Sequence, residues 1–184
     1  MSDEAFYRNS GGGITVSGGE PLAQAEFVAA LLKASKASGL HTAIDTTGYA
    51  PWDKLQMILP LVDLVLWDIK HLDPVEHLRT TGVDNKLILD NLERAAWTAA
   101  IWLRVPLIAG SNDSEEHIER VALLAQRIGA AKVSLLPYHE GGKSKSEQMG
   151  RLYPYPEGRP PAREWIQHLK QMIERCSVPA AIGS

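Results

Sequence analysis

Gly11–Gln24, GGGITVSGGEPLAQ, places a short β-branched run between two glycine clusters and follows them with a single acid, Glu20. Ile14–Val16 reads as a strand bounded by those glycines. Beyond it, Phe27, Leu31 and Leu32 recur at helical spacing, Gly39 stands where that helix should stop, and Thr42–Asp45 reads as the next strand. Strand, helix, strand is the unit that builds parallel sheets through right-handed crossovers.

The unit repeats along the chain. Further strands are expected at Leu64–Ile69, Ile101–Ile108, Lys132–Pro137 and Val178–Ile182. Between them, Leu87, Leu89, Leu92 and Ala96 mark one helix, and Ile118, Val121, Leu124, Ala125 and Ile128 another. Ser114 before Glu115 and Glu116 predicts an N-cap, Pro74 fits a first helical turn, and Gly129 fits a helix end. Several of the strands are apolar on both faces, as buried parallel strands are. The expected fold is α/β, as a single domain over residues 1–184; six strands suit a partial barrel or an open doubly wound sheet, and the pattern alone leaves both open.

Composition narrows the function classes. The 184 residues suffice for one sizeable core. A formal net charge of −3 offers no basic field, which argues against a nucleic-acid partner. No apolar run approaches spanning length, so no membrane is expected. One cysteine, Cys176, excludes an internal disulfide framework and fits a reducing compartment, the cytoplasm.

Polar residues gather at the C-terminal ends of the expected strands, the rim where parallel α/β folds bind ligands. Ser17 and Glu20 follow the first strand, Asp45 and Thr46 close the second, and Asp68 and Lys70 close the third. Arg104 lies within the fourth, and Tyr138, His139 and Glu140 follow the fifth. In LVLWDIK, Asp68 and Lys70 share a face if the strand continues to Ile69. Either they pair with each other, or Lys70 meets a ligand carboxylate while the acids meet an amine or a cation. Asp45 beside them favours the second, since adjacent carboxylates recruit a cation or share a proton. The glycines match neither the dinucleotide fingerprint nor the phosphate loop. What they offer is bare backbone at Gly18 and Gly19, with Glu20 next to it. In LLPYHEGGKSK, His139 could stack on a flat ring, and Lys143, Lys145 and Arg151 make the following loop basic.

Five segments in order, GGGITVSGGEPLAQ, HTAIDTTGYAPW, DLVLWDIKHLDPVEHLRTTGVDNKLILDNL, LRVPLIAGSND and LLPYHEGGKSK, resemble the activating enzymes of glycyl radical enzymes. That group, typified by pyruvate formate-lyase activating enzyme, lies within the radical S-adenosylmethionine superfamily. DTTGYAPW and the closing VPAAIGS look closer to activators of glycerol or choline-type lyases. The resemblance implies a partial (β/α) barrel of the radical SAM type, here missing its first strand. It also implies S-adenosylmethionine across the strand ends, cleaved reductively to a 5′-deoxyadenosyl radical that takes hydrogen from a glycine of the partner enzyme.

Carried onto this chain, the resemblance sets Ser17, Gly18, Gly19 and Glu20 at the methionyl amino end and Lys70 at its carboxylate. It gives Asp45, Asp68 and the main-chain carbonyls of Thr46 and Leu66 a monovalent cation, Na+ or K+. Arg104 supports the ribose or methionyl region, and Leu136 and His139 pack on adenine. The implied partners are a glycyl radical enzyme and a reductant such as flavodoxin or ferredoxin.

The family holds a 4Fe-4S cluster on a Cys-x₃-Cys-x₂-Cys loop upstream of the glycine motif, whereas this chain has Cys176 alone. The expectation is therefore a fragment whose parent holds the cluster, inactive by itself, with an unpaired β edge that favours edge-to-edge dimers. Ala109 and Ser146 are smaller departures from the family pattern. Two other functions fit the residues: a cluster-less ligand-binding or partner-docking module, and an aldolase-like barrel in which Lys70 forms a Schiff base. Asp45 and Asp68 weigh against the latter by keeping the amine protonated.

Overall fold

The computed structural model describes residues 12–139 and 158–183. In chain order the elements are β1 (Gly13–Val16), α1 (Ala25–Ala37), β2 (His41–Thr46), α2 (Trp52–Ile58), β3 (Leu64–Asp68), α3 (Pro74–Thr81), α4 (Lys86–Ala95), β4 (Ala100–Leu107), α5 (Glu115–Ile128), β5 (Lys132–Pro137), α6 (Arg163–Arg175) and β6 (Ala180–Ile182). The strands form a six-stranded sheet in the order β1-β2-β3-β4-β5-β6. The alternating α/β architecture predicted from the strand–helix repeat is what the chain adopts. No helix among the described residues is long and apolar enough to cross a membrane.

The chain divides into two compact units, one within Met1–Asp68 and Leu87–Trp102, the other Ile69–Lys86 and Leu103–Ser184. In the first, β1, β2 and β3 pair in parallel, with Ile14 opposite Thr42, Val16 opposite Ile44, Asp45 opposite Leu66 and Thr46 opposite Trp67. Val28, Leu32, Ile44, Leu55, Ile58, Val65 and Trp67 make its core. Gly13 is required by close packing, since a Cβ there would lie 1.8 Å from the His41 carbonyl oxygen. Away from the rim, the Asp63 carboxylate accepts from Lys36 Nζ at 2.6 Å, Thr42 N at 2.8 Å and Thr42 Oγ1 at 3.0 Å. Those donors hold its pKa down to about 2, the Lys36 hydrogen bond contributing most.

Two helices bury faces other than those expected. α1 turns Ala25, Val28, Leu32 and Ser35 inward and leaves Phe27 66% and Leu31 39% exposed. Small residues on the buried face let the helix approach its neighbours, and Ser35 satisfies its hydroxyl on the Leu31 carbonyl at 2.9 Å. α4 buries Ile88, Asn91, Leu92 and Ala95, whereas Leu87 lies outside that face, 38% exposed.

In the second unit β5 and β6 pair in parallel, Val133 opposite Ala180 and Leu135 opposite Ile182. Its core is Leu103, Val105, Leu107, Ile118, Val121, Leu135, Leu169 and Ile173. α5 starts as its sequence predicts: the Ser114 hydroxyl accepts from His117 N at 3.2 Å, and Gly129 ends the helix at φ 65°. α3 has Pro74 in its first turn behind an Asp73 cap that accepts from Val75 N and Glu76 N, bonds that also lower the Asp73 pKa.

Most strand bounds differ from expectation by one or two residues, those of β6 and β3 among them. β6 begins at Ala180, after Pro179, whose carbonyl accepts from Val133 N at 2.9 Å. β3 ends at Asp68, so Lys70 stands in the following turn rather than on the strand. There the carbonyls of Lys70 and His71 accept from the side chains of Asn112 and Asn85, both at 3.0 Å. The premise of a shared strand face for Asp68 and Lys70 therefore does not hold.

Candidate functional site

The first unit gathers its polar residues at the C-terminal ends of its parallel strands. Ser17 directly follows β1, and its hydroxyl donates to Asp45 Oδ2 near the end of β2, at 2.9 Å. Gly18 and Gly19 then take φ of 86° and 53°, the left-handed region that costs a side chain-bearing residue about 1–2 kcal/mol. A Cβ at either would meet no protein atom within 4 Å. The glycines are set by backbone conformation, and their main chain is left bare.

Glu20 fixes that turn. Its Oε1 accepts from Leu22 N at 3.2 Å and from Thr46 Oγ1 at 2.6 Å. Its Oε2 accepts from Thr47 N at 3.0 Å and Thr47 Oγ1 at 2.7 Å. Each carboxylate oxygen thus takes two hydrogen bonds, the ordinary capacity of the group. The same side chain caps the 3-10 turn Pro21–Gln24 and ties the glycine turn to the end of β2. Thr46, 3% exposed, extends the network by accepting from Gly48 N at 3.0 Å. Asn91 of α4 closes it, donating to the carbonyls of Gly48 and Ala50, both at 2.9 Å.

Replacing Glu20 with Gln turns one acceptor oxygen into a donor that faces other donors. The expected loss is about 2 kcal/mol of stability, since the unmatched groups are partly buried. A urea titration of Glu20→Gln with an unchanged midpoint would refute the brace.

Asp45 and Asp68 belong to neighbouring strand ends in this unit, and Asp45 pairs in register with Leu66. The carbonyl and carboxylate oxygens of this corner have the chemistry a hard monovalent cation takes. Trp67, between Leu66 and Asp68 in the chain, is fully buried, and its indole Nε1 has no hydrogen-bond partner.

The second unit carries Lys70, Arg104, Leu136 and His139. Arg104 lies within β4, as expected, and its carbonyl accepts from Ile69 N at 2.8 Å. Leu136 is half-buried near the end of β5, and His139 is exposed two residues beyond it. Tyr138 N donates to the Leu107 carbonyl at 2.9 Å, which secures the chain just before His139. Glu140, Lys143, Lys145, Ser146 and Arg151 lie outside the described residues.

The turn after β3 adds a histidine pair the sequence did not single out. His71 stacks on His117 of α5, ring centroids 4.4 Å apart. His117 is 4% exposed with both ring nitrogens unpartnered, and burial pushes its pKa down to about 4. Burial also lowers the pKa of His71, whose Nδ1 accepts from Asp73 N at 2.9 Å. Other residues passed over were Thr47, Asn85, Asn91 and Asn112. Asn91 left a signal: an amide on a helix face otherwise made of Ile88, Leu92 and Ala95.

Among the described residues, no group of three or more His, Cys, Asp or Glu side chains could hold a metal ion. Cys176 is half-buried and caps the C-terminus of α6.

Comparison with known proteins matches residues 3–125 to the Radical SAM superfamily. The chain is 43% identical over 158 residues to the isethionate sulfite-lyase activating enzyme of Nitratidesulfovibrio vulgaris, covering 84% of this chain and 51% of the relative. It is 37% identical over 185 residues to the trans-4-hydroxy-L-proline dehydratase activating enzyme of Clostridioides difficile, covering 98% and 61%. The chain thus spans a little over half the length of these curated relatives. Among solved structures it is similar to a domain of pyruvate-formate lyase-activating enzyme from Bacteroides vulgatus, at TM-score 0.79 and 31% identity, covering 94% of this chain and 99% of that one. The chain belongs to the Radical SAM superfamily, among the activating enzymes of glycyl radical enzymes.

Proposed function

We propose that this chain is the S-adenosylmethionine-binding portion of an activase that generates a glycyl radical on a partner enzyme. The observation that carries the reading is the braced glycine turn. Gly18 and Gly19 hold bare left-handed backbone directly after β1, and Glu20 locks it to Thr46 and Thr47. A methionyl ammonium finds backbone acceptors there. Glu20 supports that surface rather than meeting the ammonium, because both of its oxygens already accept two hydrogen bonds each.

In the first unit, Ser17, Gly18, Gly19 and Thr46 serve the amino end. Asp45 and Asp68, with the carbonyls of Thr46 and Leu66, serve Na+ or K+. In the second, Lys70 takes the methionyl carboxylate, Arg104 the ribose side, and Leu136 and His139 the adenine. The partner is a glycyl radical enzyme, the reductant a flavodoxin or ferredoxin, and the compartment the reducing cytoplasm. β1, at one end of the sheet order, offers an edge through which two copies of the chain pair.

A 4Fe-4S cluster supplies the electron that breaks the sulfonium carbon–sulfur bond in this chemistry. The residues of this chain do not fit it: such a cluster needs three or more thiolates, and Cys176 is the single cysteine, at the cap of α6. No cleavage step is assigned to these residues, and their task is to bind and orient.

Titration calorimetry with S-adenosylmethionine tests the reading. The chain is expected to bind it, and Lys70→Ala to weaken binding at least tenfold by removing a charge-assisted contact. Under reduction the chain alone should yield no 5′-deoxyadenosine. Equal affinity in the wild-type chain and Lys70→Ala would defeat the proposal.

A further inference from the structure

We infer that Asn112, assisted by Asn85, is a positioning residue that holds the main chain of Lys70 so that its ammonium is presented from a fixed point. The inference rests on the reading of Lys70 as a ligand contact and names what that contact depends on.

Asn112 is 2% exposed, in the AGSND turn between β4 and α5. Both N–H donors and the oxygen of its amide are engaged. Nδ2 donates to the Lys70 carbonyl at 3.0 Å and to the Pro106 carbonyl at 2.6 Å, while Oδ1 accepts from Ile108 N at 2.9 Å. Asn85, 4% exposed, donates to the next carbonyl, that of His71, at 3.0 Å. One residue upstream, Ile69 N donates to the Arg104 carbonyl at 2.8 Å. Three consecutive residues of this turn therefore have a backbone group tied down, two of them by buried side-chain amides.

Turns at strand ends do not need this. Exposed carbonyls can bond to water at little cost, whereas ordering two asparagine side chains loses rotamer freedom. Lysine makes the expense intelligible: its charge sits on a long flexible stem, so a shifting Cα would blur the position of the ammonium. Fixing the carbonyl on one side of Lys70 and the amide of Ile69 on the other limits that movement before any ligand arrives.

A purely structural role for Asn112 would be to close the β4–α5 turn through Pro106 and Ile108. Asn85→Ser separates the two roles, because Asn85 Nδ2 donates to the His71 carbonyl and not to the β4–α5 turn, whereas Asn112→Asp keeps the acceptor for Ile108 N and loses both donations, to Lys70 and to Pro106. The experiment measures S-adenosylmethionine affinity and amide hydrogen exchange over residues 69–73 in the 184-residue chain, with Asn112→Asp, Asn85→Ser, Lys70→Ala and a control, Thr80→Val. Thr80→Val removes a buried hydroxyl of α3 that donates to the Glu76 carbonyl.

The inference expects Asn112→Asp to bind about tenfold more weakly, the scale of one lost hydrogen bond, with faster exchange at residues 69–73. Asn85→Ser should show a smaller change in the same direction, and Thr80→Val should stay within about twofold of the wild-type affinity. Weaker binding by Lys70→Ala with unchanged affinity in Asn112→Asp overturns the inference and leaves the function standing, whatever the exchange rates do. Unchanged affinity in Lys70→Ala overturns both. If Asn112→Asp fails to fold, Asn85→Ser decides by the same two measurements.

Discussion

Gly48→Ala is expected to destabilise the chain by about 3–5 kcal/mol, enough to remove much of the margin a domain of this size has. Two costs combine. Gly48 has φ 72°, which an alanine adopts at a penalty of about 1–2 kcal/mol. A Cβ there would also lie 2.0 Å from Cζ2 of Trp67, a ring that is fully buried and has nowhere to move. The Gly48 carbonyl is further held by Asn91, and its amide by Thr46, so the backbone cannot relax without breaking the Glu20 network.

Gly39→Ala supplies the comparison. Its φ of 75° is similar, but no atom lies within 4 Å of the added methyl. It should lose only the conformational penalty of about 1–2 kcal/mol. Urea titrations of both variants check the account. Equal losses would show that the Trp67 contact does not constrain Gly48.

The second large effect is a loss of stability in mild acid, centred on His117. Its folded pKa lies at about 4 against an ordinary 6.5, because burial disfavours the imidazolium. His71 and Arg120 beside it add positive charge and oppose protonation further. With the folded pKa depressed, only the unfolded chain takes up this proton between those two values. Stability contributed by the neutral ring is therefore full above pH 6.5, falls as pH drops, and is gone near pH 4, a change of roughly 3 kcal/mol.

His71 shifts in the same direction for the same cause and adds to the slope. Asp63 acts in a separate window, because its depressed pKa of about 2 withdraws stability only below the ordinary carboxylate value of 3.8. His117→Phe keeps a flat ring against His71 and removes the titration. Urea midpoints at pH 7, 5.5 and 4.5 should fall steeply for the wild-type chain and more gently for the variant. Parallel slopes would exclude His117 as the source.

The fold was legible because its signals are local and repeated. Ile14–Val16 and the run around Thr42–Asp45 announce strands by β-branching, Lys132–Pro137 by a short apolar run, and Ser114, Pro74 and Gly129 mark helix ends by chemistry that needs no tertiary context. Helix facing was less legible. α1 has apolar residues on two sides, and periodicity cannot choose between a stripe of Phe27 and Leu31 and one of Val28 and Leu32. Packing chose the latter, where alanine and serine permit close approach. The end of β3 could not be read either, since the turn after it is held by asparagines 14 and 42 residues from the His71 and Lys70 carbonyls they take.

The strand-end positions of the polar residues were legible because charge at successive strand ends stands out in apolar surroundings. Their division of labour was not. Glu20 reads as a ligand acid in one dimension, yet the hydroxyls of Thr46 and Thr47, more than 25 positions on, turn it into a brace. A carboxylate's role depends on what donates to it, and those donors arrive from another strand.

A crystal structure of the chain grown with S-adenosylmethionine is the most direct test of the central claim. The predicted result is a methionyl ammonium on the backbone of Gly18 and Gly19. Ligand bound away from the glycine turn would contradict it.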